Sequence, residues 1–86
     1  MPYKLTYAAQ ADLRAILRFT ANRWGKQQSK SYSVLFSKMF ARLSDDPTVP
    51  ISRIHHDLPS ECRTVLVGSH IVVYRLNEGE VQILRI

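Results

Sequence analysis

Residues 62–86 read CRTVLVGSHIVVYRLNEGEVQILRI, and this stretch decides the fold. It contains three runs of strand-forming residues, Arg63–Val67, His70–Leu76 and Val81–Ile86. Gly68-Ser69 separates the first two runs, and glycine supplies the positive φ that a two-residue hairpin turn needs. Gly79 lies between the second and third runs, where the chain must reverse again. The stretch therefore predicts a three-stranded antiparallel meander.

Two helices are predicted ahead of this meander. In the first, mostly apolar side chains recur with helical spacing at Leu13, Ile16, Leu17, Thr20 and Trp24. Gly25 follows, and a glycine just beyond the last periodic residue is typical of a helix end. The second helix has its own stripe, which Asp45-Asp46-Pro47 stops, at Tyr32, Leu35, Phe36, Met39, Phe40 and Leu43. We therefore expect a helical hairpin with an apolar inner face.

The remaining segments complete the predicted order. Tyr3 to Tyr7 alternates like a strand, which needs neighbours and so is expected to join the meander. Thr48 to Glu61 has no clear period and predicts a connecting loop, with a short strand or turn within residues 53–58 as the alternative. Three apolar residues could hold this loop to the core, Ile51, Ile54 and Leu58. The predicted fold is α+β, in the order β-α-α-β-β-β, with the helical hairpin packed on a small antiparallel sheet.

Length and composition limit the classes of protein. With 86 residues the chain predicts one domain, residues 1–86, with a single core. It contains no apolar run of about 18 residues and starts at Met1 without the regions of a signal peptide, so we expect a cytoplasmic protein with no membrane contact. A single cysteine, Cys62, excludes an internal disulfide framework and a multi-cysteine zinc site. No metal or cofactor is expected.

The positive charge belongs to one segment. Ala8 to Ser44, the predicted hairpin, contains seven basic residues and one acidic residue, a net charge of +6. From Asp45 onward, four arginines face six acidic residues. A cationic surface on the helices can be simply solvated, bind nucleic acid nonspecifically, or receive an acidic partner.

Four short stretches, in their order and spacing, resemble the ParE toxins of the RelE/ParE superfamily: AQADL (residues 9–13), WGKQQ (24–28), GSHIVVYR (68–75) and ILRI (83–86). That superfamily has the β-α-α-β-β-β order that the periodicity predicts independently. The resemblance implies a toxin of a bacterial type II toxin-antitoxin system that acts on DNA gyrase, and within gyrase on the A subunit. It also implies a ParD-like acidic antitoxin as partner in a hetero-oligomer, and no catalytic residues.

The ribonuclease branch of the superfamily is the alternative. Cleavage of mRNA needs a cluster of basic and acid-base side chains around one phosphodiester. In that branch a basic residue typically follows the first hairpin turn, where this chain has Ile71, and further polar residues lie in a tail beyond the last strand. ParE relatives also commonly continue past the final Arg-Ile, whereas this sequence stops at Ile86. A third hypothesis is therefore an antitoxin-binding module that has lost toxicity with its tail.

Four polar residues of the meander are candidates for target contact, Arg63, Tyr74, Arg75 and Arg85. A Gly68-Ser69 turn that pairs Val67 with His70 would place Arg63 opposite Tyr74. A two-residue Glu78-Gly79 turn would place Ile83 opposite Tyr74 and Arg85 beside Val72. Arg63, Tyr74 and Arg85 would then share one sheet face and could hold a phosphate or carboxylate. The alternative is that the two arginine stems and the tyrosine ring simply cover the sheet.

Five residues of the hairpin are candidates for antitoxin binding, Arg14, Arg18, Trp24, Lys26 and Lys30. Direct RNA binding and sequence-specific nucleic-acid binding are disfavoured because the aromatic residues of the second helix lie on its apolar stripe, away from the basic residues. Trp24 is expected to pack in the hairpin, with a partner anchor as the alternative.

The stretch His55-His56-Asp57 does not predict a metal site, since adjacent residues of an extended chain point in opposite directions. Cys62 is expected to be a core residue and not a nucleophile.

Overall fold

The computed structural model describes residues 3–55 and 61–86. Within these residues, two helices and five strands follow one another: β1 (Tyr3–Leu5), α1 (Tyr7–Trp24), α2 (Lys26–Asp45), β2 (Arg53–His55), β3 (Cys62–Val67), β4 (His70–Asn77) and β5 (Glu80–Arg85). The predicted order is confirmed, with β2 as an additional strand between the helices and the meander. Within the described ranges, no helix is long and apolar enough to cross a membrane.

The five strands form one mixed sheet in the order β1-β5-β4-β3-β2. The meander is antiparallel, as predicted, and β2 pairs antiparallel with β3. β1 pairs with β5 in parallel, with Tyr3 opposite Val81 and Leu5 opposite Ile83, so the sheet is not wholly antiparallel. Parallel pairing is possible here because β1 and β5 are joined through the rest of the fold and not by a tight turn.

A single residue, Thr6, separates β1 from the first helix. Its hydrogen bonds end the strand and cap the start of the helix. Its backbone N–H donates to Ile83 O at 3.0 Å. Its hydroxyl donates to Leu84 O at 2.8 Å and accepts from the N–H of Ala9 at 3.1 Å, as an N-cap residue does. The predicted strand Tyr3–Tyr7 therefore stops at Leu5.

The two helices form the predicted hairpin, with Gly25 as the single residue between them. Gly25 has φ = 98°, and its N–H donates to Ala21 O at 3.0 Å, which ends α1. The hydroxyl of Ser29 on α2 donates to Leu17 O on α1 at 2.9 Å. So short a connection holds the helices side by side.

The core lies between the hairpin and one face of the sheet. Its largest fully buried side chains are Tyr74, Phe36, Leu43, Ile83, Val49, Val72 and Val81. Val49 and Ser52 are the buried residues of the segment before β2, whereas Ile51 and Ile54, which were expected to hold it to the core, are exposed. Leu58 lies outside the described residues. The segment predicted as a loop therefore includes the strand Arg53–His55, in agreement with the alternative of a short strand within residues 53–58, and it reaches the core through Val49.

Candidate functional site

The strand register brings only part of the predicted polar trio together. Arg63 and Ile83 lie opposite Tyr74, as predicted. Arg85 lies opposite Val73 and not beside Val72, because the ladder between β4 and β5 is irregular at Val73 and Tyr74. The predicted register is therefore wrong at Arg85, whose guanidinium is bound by Asp12 of α1.

Tyr74 is a core residue in this structure. It has no exposed surface, and its hydroxyl donates to Pro47 O at 2.6 Å. That bond ties the segment after α2 to the centre of the sheet and satisfies the only polar atom of a buried ring. As a candidate for target contact, Tyr74 is therefore inaccessible.

Arg63 is half-buried and oriented by a short chain of hydrogen bonds. Its Nε donates to Ser52 Oγ at 3.0 Å, and the Ser52 hydroxyl donates to Val49 O at 2.7 Å. Arg63 and Arg75 both line a cleft of ≈ 500 Å³ near the end of β4. Because Nε is already bonded, the plane of the guanidinium is fixed. A contact with a partner therefore costs less side-chain entropy.

Arg75 belongs to the opposite face of the sheet from Tyr74. Its Nε donates to Gln82 Oε1 at 2.8 Å, and the two residues are direct cross-strand partners. Neighbouring residues in a strand alternate between faces, so Arg75 and the core tyrosine cannot act on one ligand atom from the same side.

Arg85 forms an ion pair with Asp12 of α1. Its Nε donates to Asp12 Oδ2 at 2.8 Å and its Nη2 to Oδ1 at 3.0 Å, while the N–H of Ile86 donates to Oδ2 at 3.0 Å. The hydrogen bond from Arg85 and then that from Ile86 hold the pKa of Asp12 below its ordinary value of 3.8. The same pair raises the pKa of Arg85. The bond joins the last strand to the first helix, away from Arg63.

The basic residues of the hairpin form an exposed surface. Arg14, Arg18, Lys26 and Lys30 are all exposed. The one acid of the hairpin up to Ser44, Asp12, is already paired, so it does not offset this charge. The helical surface is therefore cationic along both helices.

Trp24 lies on that surface and not inside the hairpin. It is 66% exposed, and the guanidinium carbon of Arg23 lies 5.3 Å from its ring centroid. The expectation of a packed tryptophan is wrong because Trp24 is the last residue of α1, at the end of the hairpin. Phe19 is also exposed and was missed; its only signal in the sequence is that it falls off the apolar stripe of α1. An exposed aromatic beside arginine can act as an anchor for a partner.

Two of the residues considered for metal binding or thiol chemistry, His55 and Cys62, lie in the described part of the chain, and both are engaged within the fold. His55 Nε2 lies 2.9 Å from Thr64 Oγ1, and Cys62 is buried as expected. His56 and Asp57 lie outside the described residues. In residues 3–55 and 61–86, no three His, Cys, Asp or Glu side chains are grouped so that they could hold a metal ion.

Comparisons with known proteins agree on one family. The model for the "ParE toxin of type II toxin-antitoxin system, parDE" matches residues 3–86. The chain is 32% identical over 85 residues to Toxin ParE1 of Mycobacterium tuberculosis, with 98% of this chain and 85% of that protein covered. It is 29% identical over 85 residues to Toxin ParE1 of Caulobacter vibrioides, with 99% and 85% covered.

A solved structure, "Chromosomal ParDE TA system from P. aeruginosa", matches with a TM-score of 0.81 at 24% identity, covering 99% of this chain and 91% of that chain. That likeness shows the shared fold. Together with the family match over almost the whole chain, it confirms the resemblance found in the sequence. The chain belongs to the ParE toxin family of type II toxin-antitoxin systems.

Proposed function

We propose that this chain inhibits DNA gyrase by protein-protein contact with the A subunit in the cytoplasm, and that a ParD-like antitoxin neutralises it. The observation that carries a contact mechanism is the dispersal of the polar side chains of the sheet. Arg63, held by Ser52, and Arg75, held by Gln82, line one cleft, but Tyr74 there is buried, and Arg85, held by Asp12, is not among the residues of that cleft. Cleavage of RNA would need such groups to converge on one phosphodiester. Their separation supports binding over catalysis.

Three arginines remain as candidates for contact with the target, Arg63, Arg75 and Arg85. Each has its Nε engaged by a side chain of the same protein, so the position of its guanidinium is set before any partner arrives. Arginine is frequent among the residues that dominate interface energies. The buried Tyr74 supports the sheet and is left out of the contact surface.

The proposed antitoxin contact uses the cationic hairpin. Arg14, Arg18, Lys26 and Lys30 present positive charge along both helices, and Trp24 adds an exposed aromatic at the hairpin end. An acidic antitoxin segment that is disordered alone can fold along such a surface, and the opposite charges would speed its association. The product is a toxin-antitoxin hetero-oligomer.

A supercoiling assay with purified protein and purified gyrase tests the proposal. Supercoiling is expected to fall on addition of the protein and to recover on addition of the antitoxin. Alanine substitutions of Arg63, Arg75 and Arg85, one at a time, identify the contact residues, with Lys4→Ala at the far sheet edge as the control. Unchanged inhibition in all three variants would remove the arginines from the contact surface.

Two other outcomes would replace the proposal. Undisturbed gyrase together with cleavage of mRNA in a translation reaction would show the ribonuclease alternative. Inertness in both assays with retained antitoxin binding would show a binding module without toxicity.

A further inference from the structure

Arg63 is a charged residue in an otherwise apolar row of the sheet. The row crosses four strands on the face that carries the core, and its members lie opposite one another: Ile54, Arg63, Tyr74 and Ile83. Tyr74 and Ile83 have no exposed surface, whereas Arg63 is half-buried. A charge that is partly removed from water costs free energy unless hydrogen bonds or an opposite charge compensate for it. The partners of Arg63 therefore decide what this position can bind.

Only one nitrogen of the Arg63 guanidinium is bonded to another described residue. Nε donates to Ser52 Oγ, and neither ion pair of the described residues includes Arg63. The terminal nitrogens Nη1 and Nη2 together present four N–H donors, and these have no acceptor in that part of the chain. No buried side-chain nitrogen or oxygen there lacks a partner, so Nη1 and Nη2 are accessible from outside. The guanidinium is therefore fixed at one end and open to a ligand at the other.

Arg63 lines the cleft of ≈ 500 Å³ near the end of β4. Because Nε is occupied by the serine, Nη1 and Nη2 are the atoms that a molecule in this cleft can reach. Four apolar or aromatic residues form part of the wall around the arginine: Pro47, Ile54, Tyr74 and Leu76. A wall of this kind lowers the local dielectric constant, which strengthens the attraction between a guanidinium and an anion beside it.

The charges that line the cleft favour a singly charged anion. Arg63 and Arg75 contribute two positive charges and Glu61 one negative charge, which gives a net charge of +1. The Arg75 side chain is bonded to Gln82 on the other face of the sheet, so Arg63 is the cation that a ligand would meet. Glu61 is exposed and takes part in no ion pair of the described residues, and it would repel a phosphate more strongly than a carboxylate. The planar fork of a guanidinium also matches the two oxygens of a carboxylate.

We propose that the cleft beside Arg63 binds a carboxylate side chain of the target protein, an aspartate or glutamate with apolar neighbours. This inference rests on the proposed function, and it names the chemical group on gyrase that one of the three candidate arginines recognises. Nη1 and Nη2 donate to the two carboxylate oxygens, while Ser52 holds the plane of the guanidinium. Glu61 lines the same cleft and competes with the incoming carboxylate for Arg63.

Calorimetric titration of the purified gyrase A subunit with four variants tests the contact. Arg63→Met keeps an unbranched stem and removes the charge, so affinity is expected to fall about tenfold or more. Ser52→Ala removes only the acceptor that orients the arginine, and a smaller loss of about threefold is expected. Glu61→Gln removes the competing carboxylate and is expected to raise affinity about twofold or more, a gain that a misfolded variant cannot produce. The matched control is Arg53→Met, an exposed arginine on β2 that points to the other face of the sheet, with little change expected.

The chemistry of the ligand is tested on the protein alone. Heteronuclear NMR follows the Nε–H signal of Arg63, which is assigned by its absence from the spectrum of Arg63→Met. The protein is titrated with sodium acetate as the carboxylate probe and with sodium phosphate as the competing anion, and sodium chloride at equal ionic strength is the reference. Acetate is expected to shift the signal to a plateau, and to do so at a lower concentration in Glu61→Gln. Circular dichroism confirms that each variant is folded.

The outcomes distinguish this inference from the proposed function. Full affinity of Arg63→Met for gyrase would overturn the contact in the cleft and leave the proposed function standing. A shift that phosphate causes at a lower concentration than acetate would overturn the carboxylate and assign the cleft to a phosphate group. Saturable binding of acetate, with no binding of gyrase by the wild-type chain, would overturn the proposed function and the partner named here but not the carboxylate site.

Discussion

Replacement of Gly68 by alanine tests the packing of the β3–β4 turn against α2. Gly68 has φ = 60°, and a Cβ at this position would lie 2.5 Å from the hydroxyl oxygen of Tyr32. The other turn glycine, Gly79, has φ = 77° and nothing within 4 Å of its virtual Cβ. Gly79→Ala therefore reports the cost of a positive φ alone, and Gly68→Ala adds the clash.

The magnitudes follow from these two contributions. An alanine in the left-handed region lowers the free energy of unfolding by about 1–2 kcal/mol, and this is the whole effect expected of Gly79→Ala. The Tyr32 ring is held between Phe36, at 5.2 Å, and His70, at 5.6 Å between ring centroids. Moving it therefore adds an overpacking cost of about 1–3 kcal/mol. Against a stability of about 4–13 kcal/mol for a domain of this length, Gly68→Ala can remove a large part of the whole.

Urea unfolding followed by circular dichroism measures both variants, and a third substitution isolates the clash. Tyr32→Phe removes the nearest oxygen and leaves ring carbons at 3.0 and 3.2 Å from the virtual Cβ. In that background Gly68→Ala is expected to cost about 1 kcal/mol less than in the wild type. Equal costs for the two glycine substitutions, unchanged by Tyr32→Phe, would show that the tyrosine does not confine the turn.

Three further predictions concern the core, the ion pair and the helical surface. Tyr74→Phe leaves the carbonyl of Pro47 without its donor and is expected to lower stability by about 1–3 kcal/mol, while gyrase inhibition by the folded variant is unchanged; a specific loss of inhibition would return Tyr74 to the contact surface. The pKa of Asp12 is lower in the folded protein than its ordinary value of 3.8, so its ionised form stabilises the fold at pH values above 3.8. This contribution is lost as the pH falls through the folded-state pKa. Asp12→Asn should therefore be less stable than wild type at neutral pH, with the difference in melting temperature shrinking below pH 3.8; a constant difference would contradict the ion-pair origin. Trp24→Ala should change stability by less than about 0.5 kcal/mol but weaken antitoxin binding about tenfold in a calorimetric titration, against little change for Tyr7→Ala at the other end of α1; equal affinities would exclude Trp24 as an anchor.

The element order was predictable because each element carries its own local signal. Gly68-Ser69 marks the first hairpin, and the observed pairs of Val67 with His70 and Arg63 with Tyr74 follow from it by counting. Gly25 marks the boundary between the helices in the same way. Such features depend on turn chemistry and periodicity, which short stretches of sequence contain in full.

The errors arose where the outcome depends on distant partners. The predicted register failed at Arg85 because the ladder is irregular at Val73 and Tyr74, and neither residue type signals a bulge. The contact of Arg85 with Asp12 joins residues 73 positions apart. Trp24 follows the apolar spacing of α1, but the hairpin ends beside it and leaves the ring exposed. The pairing of β2 with β3, from Arg53 opposite Thr64 to His55 opposite Cys62, likewise joins segments whose contact no single stretch of sequence specifies.

The pairing of β1 with β5 also determines when the folded protein can form. Thr6 bonds to Leu84 across 78 positions, so the loop to be closed is almost the whole domain. Contacts between such distant residues slow folding, because the chain loses entropy before they form. During synthesis at about 5–20 residues per second, β5 is made after every other element of the fold. The complete sheet therefore forms only after β5 has left the ribosome, so a partner that binds the complete sheet can do so only from that point on.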